Sequence, residues 1–156
     1  NPDYAKGLKI CLDMRGADRI NCGFELVKQF QPFDPENPKK LFLKDLLFQF
    51  TEKAGLKKKS RIFTAVDSII DKEFRTDLFI EVPEDDGTMS IVRFDGSIND
   101  KKLEDGAAED DVILLNLKEL PDPSEDMDAY NRYVQKAAEE SAKKYSEKFS
   151  GKRQAA

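Results

Sequence analysis

An α+β domain built on a mixed or antiparallel sheet is the fold class that three patterns in this sequence predict. Apolar residues recur at helical spacing in two well-separated stretches, about 40–55 and about 124–149. Short runs of strand length, alternating or continuously apolar, lie before and between them. Two of those runs flank Asp86 and Gly87, a pair that tolerates the positive φ of a tight hairpin turn. The 156 residues suit one core, since a chain of this size buries roughly two-thirds of the surface it would expose unfolded. A single domain over 1–150 is expected, with a frayed tail over 151–156 that lacks an apolar anchor.

At the amino terminus, Leu8, Ile10, Leu12 and Met14 alternate with Lys9, Cys11 and Asp13, the pattern of a strand with one buried face. After Arg15, Gly16, Ala17 and Asp18, which favour a turn, Ile20, Cys22, Phe24 and Leu26 repeat the alternation. The two runs read as a hairpin with Cys22 inward and Cys11 outward. Cysteines facing opposite ways are read as free thiols, because a bridge would need both side chains on one face of adjacent strands.

Prolines at 32, 35 and 38 make the next segment a loop, since each removes a donor and biases its predecessor toward extended geometry. Asn37 and Pro38 form a good helix start, and Leu43, Leu46, Leu47, Phe50 and Ala54 then follow helical spacing to a stop at Gly55. Leu41, Phe42 and Phe48 widen the apolar arc, so this crossing helix is expected to be covered on more than one side. Residues 62–70 stay open between a strand and a strand passing into a helical turn. The runs 78–82 and 89–94 form an antiparallel pair about the Asp86 and Gly87 turn. The nearly unbroken apolar run 112–117 is what a strand buried on both faces shows, and it is placed in the middle of the sheet. Pro121 and Pro123 end it. Ser124, Glu125 and Asp126 open the final helix, whose stripe includes Tyr130, Val134, Ala138, Tyr145 and Phe149.

The order strand, strand, helix, further strands resembles the β-grasp of ubiquitin-like domains. So does the stretch from Phe94 through Leu103, Glu104, Asp105 and Gly106 to Glu109, Asp110 and Asp111, ahead of the run from Val112 to Leu115. The resemblance implies one mixed sheet crossed by the helix near 40–55. Because the sequence ends Gln154, Ala155, Ala156 without a di-glycine, it also implies a binding module and not a conjugated modifier. The alternative architecture is similar to pleckstrin-homology-like domains, antiparallel strands closed by a carboxy-terminal amphipathic helix.

Histidine is absent, which removes the commonest general base, the serine triads and most zinc sites. A calcium loop begun at Asp95 puts Asp100 where a glycine is needed and Gly106 where a bidentate glutamate is needed. The neighbouring carboxylates Glu104 and Asp105, or Asp110 and Asp111, stand beside glycine or other acids and are expected in solvent. There is no glycine-rich phosphate loop. No enzyme activity, cofactor or metal is expected.

Charge then carries the functional reading. A net charge of −5 opposes general nucleic-acid affinity, and acids outnumber bases roughly fourfold between 81 and 128. Against that background Lys57, Lys58, Lys59 and Arg61 form a basic strip, extendable by Lys39, Lys40, Lys101 and Lys102. The expectation is a non-enzymatic protein-interaction or scaffold module that meets another protein through this strip. The alternative is a peripheral membrane module that binds anionic lipid headgroups through it. No apolar run approaches the roughly 18 residues of a membrane span. The cytoplasm, or the inner face of a membrane, is the expected location. Because the chain opens on Asn1 and not Met, a cut or processed chain is expected, with any signal or lipid site upstream.

Overall fold

Four strands form a mixed sheet in the order β1-β2-β3-β4, and helices pack on both of its faces. The structure, a computed structural model, describes residues 1–107 and 109–155, with 150–155 as backbone only. Helices α1 (Pro2–Leu12), α2 (Gly16–Gln29) and α3 (Leu41–Ala54) precede β1 (Arg61–Thr64), a short α4 (Ile69–Phe74), β2 (Leu78–Pro83) and β3 (Met89–Ser97). A short α5 (Asp100–Asp105) leads to β4 (Val112–Asn116), a 3₁₀ turn (Leu117–Glu119) and the long α6 (Met127–Ala155). Strands β1, β2 and β3 pair antiparallel, whereas β3 and β4 run parallel through the α5 crossover.

Period two along the strands sends alternate residues to two cores. Ile62, Ile80, Val82, Val92, Phe94, Ile113 and Leu115 face α3 and α6, where they meet Leu46, Phe50, Ala138 and Tyr145. Phe63 and Phe79 point the other way, onto Phe24, Val27, Ile69 and Ile70 of α2 and α4. Phe63 stacks on Phe79 with ring centroids 5.1 Å apart, and Phe24 meets Phe79 edge-on at 4.8 Å.

The second sheet face also buries charge. Glu81 is 1% exposed and accepts from Lys28 Nζ at 2.5 Å and from the Arg61 guanidinium. Arg93 donates to Thr76 Oγ1 at 2.9 Å, the Phe74 carbonyl at 2.6 Å and Glu109 at 2.9 Å, while buried Asp95 pairs with Lys102. On the other face the Tyr145 hydroxyl donates to Glu84 at 2.6 Å. These buried carboxylates are all partnered, which keeps the desolvation cost of each charge offset.

The hairpin 78–82/89–94, the helix ending at Gly55 and the carboxy-terminal helix stand as expected, with Gly55 at φ +65° closing α3. Residues 62–70 resolve as strand, then the start of α4, capped by Ser68 Oγ accepting from Ile70 N at 3.2 Å. The amino-terminal hairpin does not form. Tyr4, Leu8 and Cys11 lie at helical spacing on the packed side of α1, while Ile10 and Leu12 are exposed. Asn1 Oδ1 accepts from Asp3 N at 2.8 Å and Pro2 occupies the first turn, the same start signal credited at Asn37 and Pro38. At the latter pair it acts differently, for α3 begins only at Leu41 and has no side-chain cap. The opening on which the β-grasp resemblance rested is thus a pair of helices.

Two further expectations are corrected. Cys11 and Cys22 are bridged, with their Cα atoms 5.4 Å apart, because antiparallel helices and not alternating strands bring them face to face. And β4 is an edge strand, not a central one. Layers above and below bury both faces of a strand whether or not it has neighbours on both sides, so an unbroken apolar run reports the layers and not the position in the sheet. The frayed-tail expectation falls on residues whose side chains, and for Ala156 the backbone too, lie outside the described ones.

Candidate functional site

Loop 31–40 is tied down at the outer edge of β1. Gln31 Nε2 donates to the Thr64 carbonyl at 2.8 Å and its Oε1 accepts from Thr64 N at 3.2 Å, while Ile62 N donates to the Pro35 carbonyl at 3.0 Å. Within the loop, Asp34 accepts from Glu36 N at 2.9 Å and from the Asn37 amide at 3.4 Å; these hydrogen bonds hold its carboxyl below the usual range. The prolines and these bonds fix the strap's shape, so it serves as a wall.

Opposite that wall stands the outward side of α3, and between them lies a groove of about 720 Å³. Glu36, Asn37, Pro38 and Lys39 form the loop side; Lys44, Phe48, Thr51 and Glu52 the helix side; Lys59 and Ser60 the end nearest β1. Positions 44, 48, 51 and 52 fall on one helical stripe, turned away from the buried set Leu43, Leu46, Leu47, Phe50 and Ala54. Phe48 is 60% exposed. The expectation that α3 is covered on more than one side fails at Phe48, although Phe42 does pack near Tyr133, ring centroids 6.3 Å apart.

Polar groups of both signs ring that phenyl. Lys39, Lys44 and Lys59 share the groove with Glu36, Asp45 and Glu52. Asp45 also accepts from the Tyr130 hydroxyl at 2.9 Å, and burial together with that carboxylate pushes the Tyr130 phenol well above its ordinary value. The tyrosine therefore remains a neutral donor that locks α6 to α3. Ser60 Oγ is buried without a hydrogen-bond partner among the described residues.

The basic strip does not assemble as one surface. Lys57, Lys58 and Lys59 are all exposed, but Lys57 and Lys58 border a separate cleft with Val82 and Glu84, where Lys58 reaches Asp85 at 3.6 Å. Arg61 turns inward to Glu81 and lies 5.3 Å from the Phe63 ring centroid. Of the four, only Lys59 reaches the α3 groove. Lys39 joins it there, whereas Lys102 binds Asp95 at 3.0 Å. The sequence marks Phe48 only as widening the apolar arc of its helix, and nothing in it singles out Glu52 or Ser60. The available signal was Phe48 itself, an aromatic a full step off the inward stripe of its helix.

Among the described residues no group of three or more acidic or cysteine side chains is arranged to hold a metal ion. Asp86 accepts from Thr88 N and Oγ1 within its turn, and Asp100 pairs with Lys118. No helix among the described residues is long and apolar enough to cross a membrane. Comparison with models of known families, with curated proteins and with solved structures gave no match to this chain.

Proposed function

We propose that this chain is a non-enzymatic interaction module that seats a short segment of a partner protein in the α3 groove. The observation that carries this reading is Phe48, a large apolar side chain left 60% exposed beside a strap that is itself hydrogen-bonded in place. Exposing a phenyl ring on a helix that buries its other apolar face forgoes about 1.5–3 kcal/mol of transfer free energy, and a partner's side chain laid against it recovers that. Charges of both signs around the ring suit a peptide carrying an apolar residue between an acid and a base. A lipid headgroup surface would call for one sign only. Of the strip on which the anionic-membrane alternative rests, Arg61 is engaged with Glu81, while Lys57, Lys58 and Lys59 stay exposed.

The Cys11–Cys22 bridge supports a compartment in which thiols oxidise, in place of the cytoplasm expected from the sequence.

A photoreactive residue in place of Glu52, in the full chain expressed in its native cell, tests the groove. The expected result is a defined protein adduct from position 52, absent when the same residue replaces Lys6 and lost on Phe48→Asp. Equal labelling from both positions, or adducts indifferent to Phe48→Asp, would overturn the reading. Salt-sensitive binding to anionic vesicles that disappears on Lys57, Lys58 and Lys59→Ala would replace it with the membrane alternative.

A further inference from the structure

The two edges of the sheet are finished differently. On β1 the Gln31 amide and the Pro35 carbonyl occupy the outward backbone groups of Thr64 and Ile62. Among the described residues, the backbone bonds of β4 outside the β3 ladder are at its ends: Val112 N donates to the Glu109 carbonyl at 3.1 Å, and the Asn116 carbonyl accepts from the Tyr133 hydroxyl at 2.8 Å. Between those ends, backbone alternation turns Ile113 and Leu115 into the β3 ladder and leaves the N–H and C=O of Leu114 facing outward, with no partner among the described residues. Space beside the strand is also open. Clefts of about 340 and 130 Å³ run along it toward α6, one against residues 112–114 and one against 114–116.

Edge strands that stay single are protected by proline, a bulge, an inward charge or shortness. Strand β4 reads Val-Ile-Leu-Leu-Asn, with no proline, glycine or charge across its five residues. An apolar strand of this kind with an open edge pairs with another strand or aggregates.

We propose that β4 is the pairing edge of a two-fold dimer, in which two copies join their sheets through an antiparallel β4–β4 contact centred on Leu114. The charges bracketing the strand select a second copy. Acids stand before it, at Glu109, Asp110 and Asp111, and Lys118 stands after it. Antiparallel pairing about Leu114 carries the acids before the strand in each copy toward the Lys118 that follows it in the other, with both groups just beyond the paired residues, whereas parallel pairing would set acid against acid. The Asp110 carboxylate is exposed and makes no bond within its own chain among the described residues, and only its carbonyl is used, by Lys144 Nζ at 2.6 Å. Lys118 meets exposed Asp100 and keeps donors to share. The same register sets Val112 opposite Asn116 and lays half-buried Leu114 against its own copy, on the sheet face away from α6. The contact joins two four-stranded sheets into one of eight and removes the open edge.

Sedimentation velocity on the full chain, from micromolar to several hundred micromolar, tests this. A reversible monomer–dimer equilibrium is expected, with amide exchange at Leu114 slowing as concentration rises. Leu114→Lys, which places two ammonium groups at the axis, should leave a monomer. Because that change could also disturb the monomer, the surface pair supplies the second arm. Asp110→Lys and Lys118→Asp should each weaken the dimer about fivefold, the scale of the two symmetry-related exposed charge contacts turned to repulsion. The double variant should restore it. A chain that stays monomeric throughout, or a dimer that both single reversals leave unchanged, overturns the proposal.

Discussion

Asp77 is the residue whose protonation most directly couples this fold to pH. Burial, opposed by the Gly96 amide that donates to it at 2.8 Å and reinforced by the neighbouring Asp71 and Asp95 carboxylates, raises its carboxyl from the ordinary 3.8 to about 7. Lys102 is bound to Asp95. A folded-state pKa above the unfolded one means that the native protein holds the extra proton between the two values. Its stabilising effect is complete below the ordinary value and is lost as pH rises through about 7. Glu81 and Asp111 act with the opposite sign. Burial alone would raise each, but Lys28 and Arg61 at Glu81, and Lys148 and Arg93 at Asp111, hold them below the usual range. Their contribution disappears only in acid. Urea unfolding at about pH 5 and about pH 8 should therefore show the wild type losing stability relative to Asp77→Asn across that interval. A constant difference between the two proteins would place the proton elsewhere. Glu81 itself is a structural group: Glu81→Ala leaves Lys28 and Arg61 facing an empty site and should cost roughly 3–5 kcal/mol. Arg61, selected from the sequence as a contact residue, is engaged in that ion cluster. Composition marks it as basic, but only the β1–β2 register that sets Arg61 opposite Glu81 reveals its partner.

Helix α3 separates its two sides in a way that mutation can read. Leu46 is fully buried under α6 and Phe48 stands in the groove, so Leu46→Ala should cost about 2–5 kcal/mol while Phe48→Ala stays within about 0.5 kcal/mol. Thermal unfolding of the two variants side by side measures the contrast. The amino-terminal pair α1 and α2 depends on its bridge in a different way. Closing a loop of sequence separation 11 restricts the unfolded chain, and replacing Cys11 and Cys22 together by serine should lower stability by about 3 kcal/mol. Denaturant midpoints with and without reductant provide the check, since the wild type under reductant should approach the double variant. These helices also show why periodicity misled. Leu8, Ile10, Leu12 and Met14 satisfy period two, yet Tyr4, Leu8 and Cys11 satisfy the helical period equally well. With short apolar runs, the cap at Asn1 and Pro2 was the discriminating signal. Close approach of α2 to α4 has a local cause, for a Cβ at Gly23 would stand 2.6 Å from Ile70 Cδ1.

At the scale of the molecule, one sheet is shared by two apolar cores, with Phe63 and Ile62 adjacent in β1 but facing opposite layers. Cores linked through the same strands should unfold together. Near-ultraviolet signals from Tyr145 in one layer and exchange of α2 amides in the other are expected to report one midpoint, and two midpoints would divide the chain into separable units. The α+β class, the Leu41–Ala54 helix with its Gly55 stop, the 78–82/89–94 hairpin and the carboxy-terminal stripe were legible in the sequence, because each rests on contacts within a few residues of chain. The bridge, the place of β4 at the edge and the dispersal of the basic strip were not. Those depend on which segments meet across the fold, and a one-dimensional pattern records burial without recording the neighbour that supplies it. The groove lies between these cases. The sequence by itself determined that Phe48 departs from the inward stripe of its helix, since 3.6-residue periodicity is a property of the chain. That the proline strap would be pinned to β1 by Gln31, so as to stand across from Phe48, was decided only by the tertiary structure, because that bond joins residues 33 apart in sequence.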